Sequence, residues 1–313
     1  MLYSWYRWIL PFKSNIKLGG RSYSKREGLY LKINDGNSVG WGEASPLPGF
    51  SLETLEDIIK IVKKKDYLSD ISKLPSSLQF AIYNAKCDLQ KQFDSPFKVA
   101  SALLAVGDLD GILNQVRQAM DAGWQDFKIK IGRGNQDDEI KLVNCVAELT
   151  GAQHLRIDCN RAWNFAKAKR FMLSLKHKIA FIEEPTISPV YYNKLSKYQT
   201  IALDETLLRL NPEELSKATK GILVCKPTIL ANINRLLSEK WPLVISSALE
   251  SPLGISHLAK LHSECSKLSA GLDTLNFFEA DTLKKFHGNL KIDQGFIDVQ
   301  ERIIPKEEFL EQL

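Results

Sequence analysis

The chain has 313 residues, with 42 lysines and arginines against 37 aspartates and glutamates, and 44% of it is hydrophobic. This composition is typical of a soluble globular protein of about two domains, or of one α/β barrel with an appendage, and excludes disordered and collagen-like chains. The net charge of +5 is small and the basic residues are spread along the chain, which argues against a nucleic-acid partner.

The first hundred residues predict a mixed α+β domain. Residues 3–10 are typical of a strand, and residues 28–34 alternate apolar and polar side chains, as a half-buried strand does. A loop rich in glycine and proline follows over residues 40–50. Ser51 is then expected to cap a helix that ends at the solvated run Lys63-Lys64-Lys65, and a second helix is expected over residues 76–92. The apolar positions of the first helix are Leu52, Leu55, Ile58, Ile59 and Val62.

From about residue 99, short β-rich runs alternate with helical patterns, which predicts a parallel (β/α) barrel. Two of the helices have clear start signals, Ser188-Pro189 and Asn211-Pro212. We expect three parts: an α+β capping domain over residues 1–98, the barrel over 99–275, and a segment over 276–313 that returns to the cap. The expected barrel strands are residues 100–106, 127–131, 154–158, 179–183, 201–204, 222–226, 243–247 and 268–272.

The cysteines and the N-terminus indicate a cytoplasmic protein. The five cysteines are far apart and form no C-x-x-C pair, so a zinc site or a disulfide framework is not expected. The N-terminus has no apolar signal core, and no apolar run approaches the roughly 20 residues of a membrane span. No membrane partner is expected.

Three carboxylates fall at the ends of successive predicted strands. Asp158, Glu183 and Asp204 are separated by 25 and 21 residues, each about one βα unit. A single aspartate at a strand end is usually a helix cap or a turn residue, but the series at barrel spacing favours a functional interpretation. Carboxylates at close range repel one another unless a cation lies among them, and a hard divalent ion such as Mg²⁺ suits an all-oxygen site.

Lysines flank this trio. Lys128 and Lys130 are two residues apart on one strand and therefore point to the same face, with Lys226 on a later strand. A metal and a neighbouring ammonium group lower the pKa of a lysine, so that a neutral amine becomes available as a base. The chemistry this favours is removal of a proton next to a carboxylate, giving an enediolate.

Eight short motifs carry a family resemblance. Through them the chain, as far as about residue 275, resembles the muconate-lactonizing subgroup of the enolase superfamily, whose fold is a modified TIM-type (β/α)7β barrel with an α+β capping domain. In chain order the motifs are GWGExSPLPGF from Gly40, KIK from Lys128, LRIDxNRAW from Leu155, FIEEP from Phe181, DET from Asp204, KPT from Lys226, SSALES from Ser246 and GLDTL from Gly271.

The resemblance implies one Mg²⁺ per active site, held by the three strand-end carboxylates, with Mn²⁺ as an expected substitute. Glu184 and Glu205 would lie behind the metal ligands. Lys130 would remove the α-proton and then protonate a departing hydroxyl on the same face, Lys128 would stabilise the enediolate, and Lys226 would lie opposite as a cation over the ring that forms. The implied reaction is a dehydration in menaquinone biosynthesis.

The resemblance also implies a set of residues around a small-molecule carboxylate substrate. The loop at 40–50 and the stretch around Arg21 would close over the substrate, unless the loop is only a rigid turn that packs the two domains together. The expected substrate-binding residues are Arg156, Asn160, Ser246, Ser247, Gly271, Leu272 and Phe50.

Other functions remain open. Lysines on both flanks of a metal are also what an N-acylamino acid racemase or a dipeptide epimerase requires, and a muconate cycloisomerase belongs to the same subgroup. A barrel used only for binding, and an aldolase that forms a Schiff base on a lysine, are weaker alternatives. The sequence leaves open whether the protein is a monomer or a homo-oligomer.

Overall fold

The computed structural model describes residues 1–64, 67–210, 212–218, 221–230, 233–239 and 241–313. The N-terminal part contains an antiparallel sheet of strands β1 (Leu2–Leu18), β2 (Arg21–Asn34) and β3 (Val39–Ala44), with helices α1 (Leu55–Val62) and α2 (Ser76–Leu89). The predicted strands at 3–10 and 28–34 are present and longer than expected, because β1 and β2 continue as one hairpin as far as Leu18 and Arg21.

The two faces of this sheet pack against different partners, as strand alternation requires. Leu29, Leu31 and Ile33 lie on the face covered by α1 and α2. Trp8 and Tyr30 lie on the other face, in the large apolar core that includes the barrel. Each large apolar side chain that is fully buried contributes about 1.5–3 kcal/mol, so the sheet is fixed from both sides.

The prediction of a loop from residue 40 is wrong for its first part, because residues 40–44 belong to β3. Gly40 and Gly42 face helix α2, where a Cβ atom would lie 2.1 Å from the Ala85 carbonyl oxygen and 2.0 Å from that of Ala81. These glycines therefore serve close packing of a helix on a strand and do not make a turn.

The predicted helix start at Ser51 is also wrong. The N-cap of α1 is Thr54, which forms a capping box with Asp57. The hydroxyl of Ser51 instead accepts a hydrogen bond from the Leu47 amide at 2.8 Å, within the preceding loop. Leu52, expected on the apolar face, precedes the helix and is fully exposed.

The strand predicted over residues 100–106 is divided in two, β4 (Phe97–Ala100) and β5 (Leu103–Ala105). The first pairs with Phe296–Val299 of the C-terminal segment, and only the second joins the barrel. The apolar pattern is continuous across both strands and carries no information about which partner each half finds.

Within the described residues, seven parallel strands follow one another in chain order around the barrel. Two bridges close it, Ser246 with Gly271 and Ser101 with Ala270, so residues 270–271 take the place of an eighth strand. The strands are β5, β6 (Phe127–Lys130), β7 (Leu155–Asp158), β8 (Phe181–Glu183), β9 (Ile201–Leu203), β10 (Ile222–Cys225) and β11 (Leu243–Ile245).

Helices lie between the barrel strands, as predicted. Pro189 opens a single 3₁₀ turn before a short helix, and Asn211, the other predicted cap, lies outside the described residues. In the part of the chain that the structure describes, no helix combines the length and apolar character that a membrane span needs. The helices are α3 (Leu109–Asp121), α4 (Gln136–Thr150), α5 (Phe165–Ser174), α6 (Tyr192–Leu195), α7 (Pro212–Ala218), α8 (Ile233–Ser238) and α9 (Pro252–Cys265).

The C-terminal segment contacts the N-terminal sheet. Its last strand pairs with β1, and Arg302 forms a bidentate ion pair with the buried carboxylate of Asp88 on α2, at 2.6 and 2.7 Å. The division into three parts with boundaries at 98 and 275 stays a prediction. The strands of this segment are β12 (Phe286–His287), β13 (Leu290–Asp293), β14 (Phe296–Val299), β15 (Ile304–Pro305) and β16 (Glu311–Gln312).

Candidate active site

Three carboxylates lie at the C-terminal ends of neighbouring barrel strands. Asp158 ends β7 and pairs in register with Glu183 at the end of β8, and Asp204 directly follows β9. Their exposed fractions are only 5%, 1% and 8%. Parallel register therefore brings the three predicted metal ligands to one rim of the barrel, the rim at which barrel enzymes carry out their chemistry.

Two lysines form ion pairs with these carboxylates. The Nζ atom of Lys128 lies 2.5 Å from Glu183 Oε2 and 3.1 Å from Asp158 Oδ2. The ammonium group of Lys226 contacts both carboxylate oxygens of Asp204. The ammonium group of Lys128 on β6 thus pairs with two of the carboxylates, and that of Lys226, just after β10, pairs with the third.

Lys130 differs from the other two lysines. It pairs in register with Asp158 across β6 and β7, but no ion pair of its ammonium group is found among the described residues. Burial lowers the pKa of Lys130, and repulsion by the other two lysines adds to the effect. Burial acts in the same direction on Lys128 and Lys226, but attraction by the neighbouring carboxylates outweighs it and raises their pKa values. Lys130 is therefore the lysine that loses its proton most readily.

Glu184 holds the turn that carries Asp204. Its buried carboxylate accepts hydrogen bonds from the amide of Asp204 at 2.7 Å, the amide of Thr206 at 2.9 Å and the Thr206 hydroxyl at 2.6 Å, and Tyr192 donates a further one. Its backbone has a positive φ of 45°. Such strain persists only where the surroundings enforce it, so the position of Asp204 is closely determined.

Asn160 and Glu205 bring unpaired polar atoms to this rim. The Asn160 amide donates to Asp158 Oδ1 at 3.0 Å, whereas its side-chain Nδ2 is buried and has no hydrogen-bond partner within the described residues. The Oε2 atom of Glu205 is also buried and has no hydrogen-bond partner within the described residues. Burial, reinforced by the charge of Asp204, raises the pKa of Glu205 to about 7. Buried polar atoms are usually paired, and Asn160 Nδ2 and Glu205 Oε2 are exceptions in the part of the chain that the structure describes.

The expected pocket residues of the last two strands lie together. Ser246 bridges Gly271, where a Cβ would come within 2.8 Å of the Ser246 hydroxyl, so glycine allows the two strands to approach. The Ser247 hydroxyl accepts a hydrogen bond from Thr274 at 2.8 Å and is buried, and Leu272 is fully enclosed in the core. Phe50 is half-buried in the cap loop.

Arg156 contacts the backbone at the start of the eighth strand position. It is on β7 one layer below Asp158, and its guanidinium donates to the carbonyl oxygen of Ser269 at 2.9 Å. The guanidinium also lies 5.3 Å from the ring of Phe181. These contacts hold β7 to the chain that enters the eighth strand position, beneath the carboxylates.

Sequence reasoning missed several buried acids that hold this rim together. Glu139 on α4 accepts the backbone amides of Gly132, Arg133 and Gly134 at 2.7–3.0 Å, in the loop directly after Lys130. Glu250 accepts hydroxyl hydrogen bonds from Thr228 and Ser247, both at 2.6 Å. The glycines around Arg133 were a signal of tight backbone packing, but nothing in the sequence marks the distant partners of these acids.

The residues present fit a divalent cation by their chemistry. All three predicted ligands are carboxylates, the oxygen donors that Mg²⁺ prefers, and they already attract the positive charge of Lys128 and Lys226. As they stand, the described residues include no group of three His, Cys, Asp or Glu side chains close enough together to hold a metal ion. Each of the three carboxylates is instead in an ion pair with Lys128 or Lys226.

Asp273, at the end of the eighth strand position, should make stability depend on pH. It is 5% exposed and accepts hydrogen bonds from the Leu104 amide and from Asn276, and burial raises its pKa to about 6. An unfolded aspartate titrates near 3.9, so the folded state binds more protons between these values and stability falls as the pH rises from about 4 to 6, by about 3 kcal/mol. Asp273→Asn should remove this loss, measured as the Tm difference between variant and wild type across that range. Parallel curves would contradict the assignment.

The closed parallel barrel, the α+β domain beside it and the carboxylates and lysines at the strand ends together define a barrel enzyme of the enolase type. Residues 111–218 match the family described as Enolase C-terminal domain-like, and residues 2–88 match the family described as MenC, N-terminal domain. The two matches fall on the barrel and on the N-terminal domain respectively.

Curated relatives extend the match to most of the chain. The o-succinylbenzoate synthase of Escherichia coli O127:H6 is 31% identical over 305 residues, covering 91% of this chain and 94% of the relative. That of Shigella boydii serotype 18 is 30% identical over 319 residues, covering 96% and 98%. The chain belongs to the o-succinylbenzoate synthase family of the enolase superfamily. It is an enzyme of the hydro-lyase class that acts on a small molecule.

Solved structures confirm the predicted fold class, a TIM-type barrel with an α+β capping domain. o-Succinylbenzoate synthase from Thermosynechococcus elongatus BP-1, complexed with Mg in its active site, has a TM-score of 0.76 at 23% identity, covering 90% of this chain and 95% of that one. A dipeptide epimerase from Cytophaga hutchinsonii, complexed with Mg and a dipeptide, has a TM-score of 0.79 at 19% identity, covering 99% and 98%. At these identities the likeness concerns the fold alone.

Proposed function

We propose that this enzyme dehydrates 2-succinyl-6-hydroxy-2,4-cyclohexadiene-1-carboxylate to o-succinylbenzoate, in the cytoplasm and in menaquinone biosynthesis, with Mg²⁺ as cofactor. The observation that carries the proposal is the register across three neighbouring strands, which sets Lys130 beside Asp158 and Asp158 beside Glu183. A base and a pair of buried acids at one rim are what removal of a proton next to a carboxylate requires. The substrate of the proposed reaction is inferred from the o-succinylbenzoate synthase family, to which the chain belongs.

Asp158, Glu183 and Asp204 would hold the Mg²⁺. When bound, this ion neutralises the negative charge that develops on the substrate carboxylate. Mn²⁺ prefers similar oxygen ligands and is expected to substitute. Glu184 would act through Asp204, whose amide it fixes at 2.7 Å, and Glu205, which is repelled by the charge of Asp204, would lie behind the same ligand.

Lys130 would act first as base and then as acid. Its neutral amine takes the proton from the carbon that bears the carboxylate, and the bonding electrons pass into the enediolate. The lysine then returns the proton to the departing hydroxyl on the same face, so that water leaves and the ring becomes aromatic. The lowering of the Lys130 pKa by burial favours the first step, and the ammonium group that the lysine becomes favours the second.

The other two lysines would stay protonated throughout, in keeping with their raised pKa values. Lys128 would stabilise the negative charge of the enediolate. Lys226, on the opposite flank, would lie over the forming ring, where a cation–π attraction is worth about 0.5–2 kcal/mol. The unpaired Nδ2 of Asn160 would donate a hydrogen bond to the substrate.

The walls of the pocket would come from the last two strands and the cap. Ser246, Ser247 and Gly271 would line the space for the succinyl arm, with Phe50 above it. Leu272 and Arg156 would support this wall from behind, because the first is fully enclosed and the second donates to a carbonyl below the rim.

A racemase or epimerase acting on N-acylamino acids or dipeptides is the second candidate. The observation that favours it is the presence of lysines on opposite flanks, on β6 and after β10, which two-base racemisation requires. A structural neighbour with this fold is a dipeptide epimerase.

One assay pair separates the two functions. Loss of the hydroxycyclohexadiene precursor's ultraviolet absorbance, dependent on Mg²⁺, is the expected result for the dehydratase. In parallel, an N-succinylamino acid in deuterium oxide should show no deuterium at its α-carbon. Deuterium uptake there, with no loss of precursor absorbance from folded and Mg²⁺-loaded protein, would assign the racemase instead.

A further inference from the structure

Glu43 is a buried acid of the N-terminal sheet that contacts the barrel. It lies in β3 and is fully enclosed. Its carboxylate accepts four hydrogen bonds, from the Ser45 hydroxyl at 2.8 Å, the Ser251 amide at 3.1 Å, the Ser251 hydroxyl at 2.5 Å and the Gly254 amide at 3.0 Å. Three of the four come from the barrel, more than 200 residues along the chain.

These barrel contacts are at the N-terminus of α9. A helix begins with backbone amides that have no partner inside the helix, and a residue at the N-cap usually satisfies one of them. Ser251 is at that position, but its side chain forms no capping hydrogen bond with the helix and donates to Glu43 instead. The N-terminal domain therefore supplies the cap, with a negative charge that suits the helix dipole.

Gly254 leaves room for this contact because it has no side chain. A Cβ atom there would lie 2.7 Å from Glu43 Oε2 and 2.6 Å from the Cβ of Glu250. These distances are too short for any side chain, so an alanine would displace the Glu43 carboxylate. Glycine within a helix is less favourable than alanine, and here glycine permits the close approach of the Glu43 carboxylate.

Arg26 joins the same two parts beside Glu43. Its guanidinium is buried and donates to the carbonyl oxygens of Ser45 at 2.6 Å, Pro46 at 2.9 Å and Ala248 at 3.4 Å. Ala248 in turn donates its amide to Glu250 at 2.7 Å. The loop that follows β11 is therefore hydrogen-bonded both to Arg26 of the cap and to its own buried acid, Glu250.

We infer that Glu43 is a positioning residue: through the N-terminus of α9 it fixes the loop of residues 246–251 relative to the cap. That loop carries Ser246 and Ser247, so the cap would set the shape of the wall that receives the substrate. The identity of the substrate that this wall contacts rests on the proposed function, whereas the positioning of the loop by Glu43 does not depend on it. Glu43 touches no group that we place at the reacting atoms.

The test is Glu43→Gln, studied by hydrogen exchange at pH 8.5. Burial raises the pKa of Glu43 to about 7, so at this pH the wild-type carboxylate is ionised. In either orientation, a glutamine sets an NH₂ group against the amide of Ser251 or Gly254, and that amide loses its acceptor. We expect exchange in residues 246–258 to be about tenfold faster, the effect of one lost charge-assisted hydrogen bond, with no change in β1 and β2.

Two further variants make the outcome decisive. Glu56→Gln is the matched control, an exposed acid of the same domain, and should leave exchange unchanged. Gly254→Ala disturbs the same contact from the barrel side and should reproduce the pattern of exchange seen in Glu43→Gln. Exchange in the double variant should be little faster than in either single variant. If either variant fails to fold, Ser251→Ala, which removes only the hydroxyl contact, should give a smaller increase in the same peptides.

The kinetic readout is a rise in KM of about tenfold with kcat changed less, because the loop shapes the wall and not the reacting atoms. Exchange that is unchanged in residues 246–258, or that rises equally throughout the chain, would overturn the inference. Hydrogen exchange is measured without substrate. If the proposed reaction fails but the exchange effect is confined to residues 246–258, the positioning role of Glu43 is supported and only the proposed substrate is wrong.

Discussion

Replacing Lys130 by alanine should reduce turnover by a factor of about 10³, within the range that a general base contributes. The amine that we propose as acceptor of the α-proton is lost, and we expect neither remaining lysine to replace it, since both Lys128 and Lys226 form ion pairs with carboxylates. Folding should not suffer, because Lys130 is buried without an ion pair among the described residues and its charge is costly there. Precursor absorbance and the Tm, measured on the same preparation, check both expectations.

Lys141→Ala is the matched control, since that side chain is 79% exposed on α4 and forms a surface ion pair with Asp138. It should retain wild-type turnover and Tm. A Lys130→Ala enzyme that keeps more than about a tenth of the activity, together with a Lys226→Ala enzyme that is inactive, would place the base on the opposite flank and contradict the assignment.

The rim of carboxylates and lysines was predictable because its signal in the sequence is local and repeats. Asp158, Glu183 and Asp204 each lie at or directly after a short apolar strand, one βα unit from the next, and parallel strands in chain order bring their C-terminal ends together. Any closed barrel with this chain order would make neighbours of such residues. The exact pairing of lysines with carboxylates was not predictable, since it depends on side-chain packing inside the barrel.

The features that the sequence did not reveal depend on contacts between distant segments. Gly40 and Gly42 look like turn residues, and only the close approach of α2 explains them as part of a strand. Ser51 is as good a helix cap as Thr54 by residue type, and the choice follows from Asp57 completing a capping box. The partners of Glu43 are more than 200 residues away, and no periodicity encodes such a distance.

Removal of Mg²⁺ should abolish turnover, and its return should raise the Tm of the metal-free protein. An ion that binds only the folded state stabilises it by about 2.7 kcal/mol at a hundredfold excess over its Kd, which corresponds to roughly 5 °C. The physical source is the buried trio at the strand ends, whose members are at most 8% exposed and repel one another. Thermal unfolding in EDTA, then with MgCl₂, measures the shift without any substrate.

The variant that isolates this effect is Asp204→Asn. It removes one negative ligand, so the Mg²⁺-dependent shift in Tm should disappear with turnover, whereas Asp121→Asn at the exposed end of α3 should retain both. Sodium chloride at matched ionic strength separates specific binding from screening. An equal Mg²⁺ shift in Asp204→Asn and the wild type would mean that the ion binds elsewhere. Turnover that persists in EDTA would mean that the ammonium groups of Lys128 and Lys226 suffice to hold the enediolate.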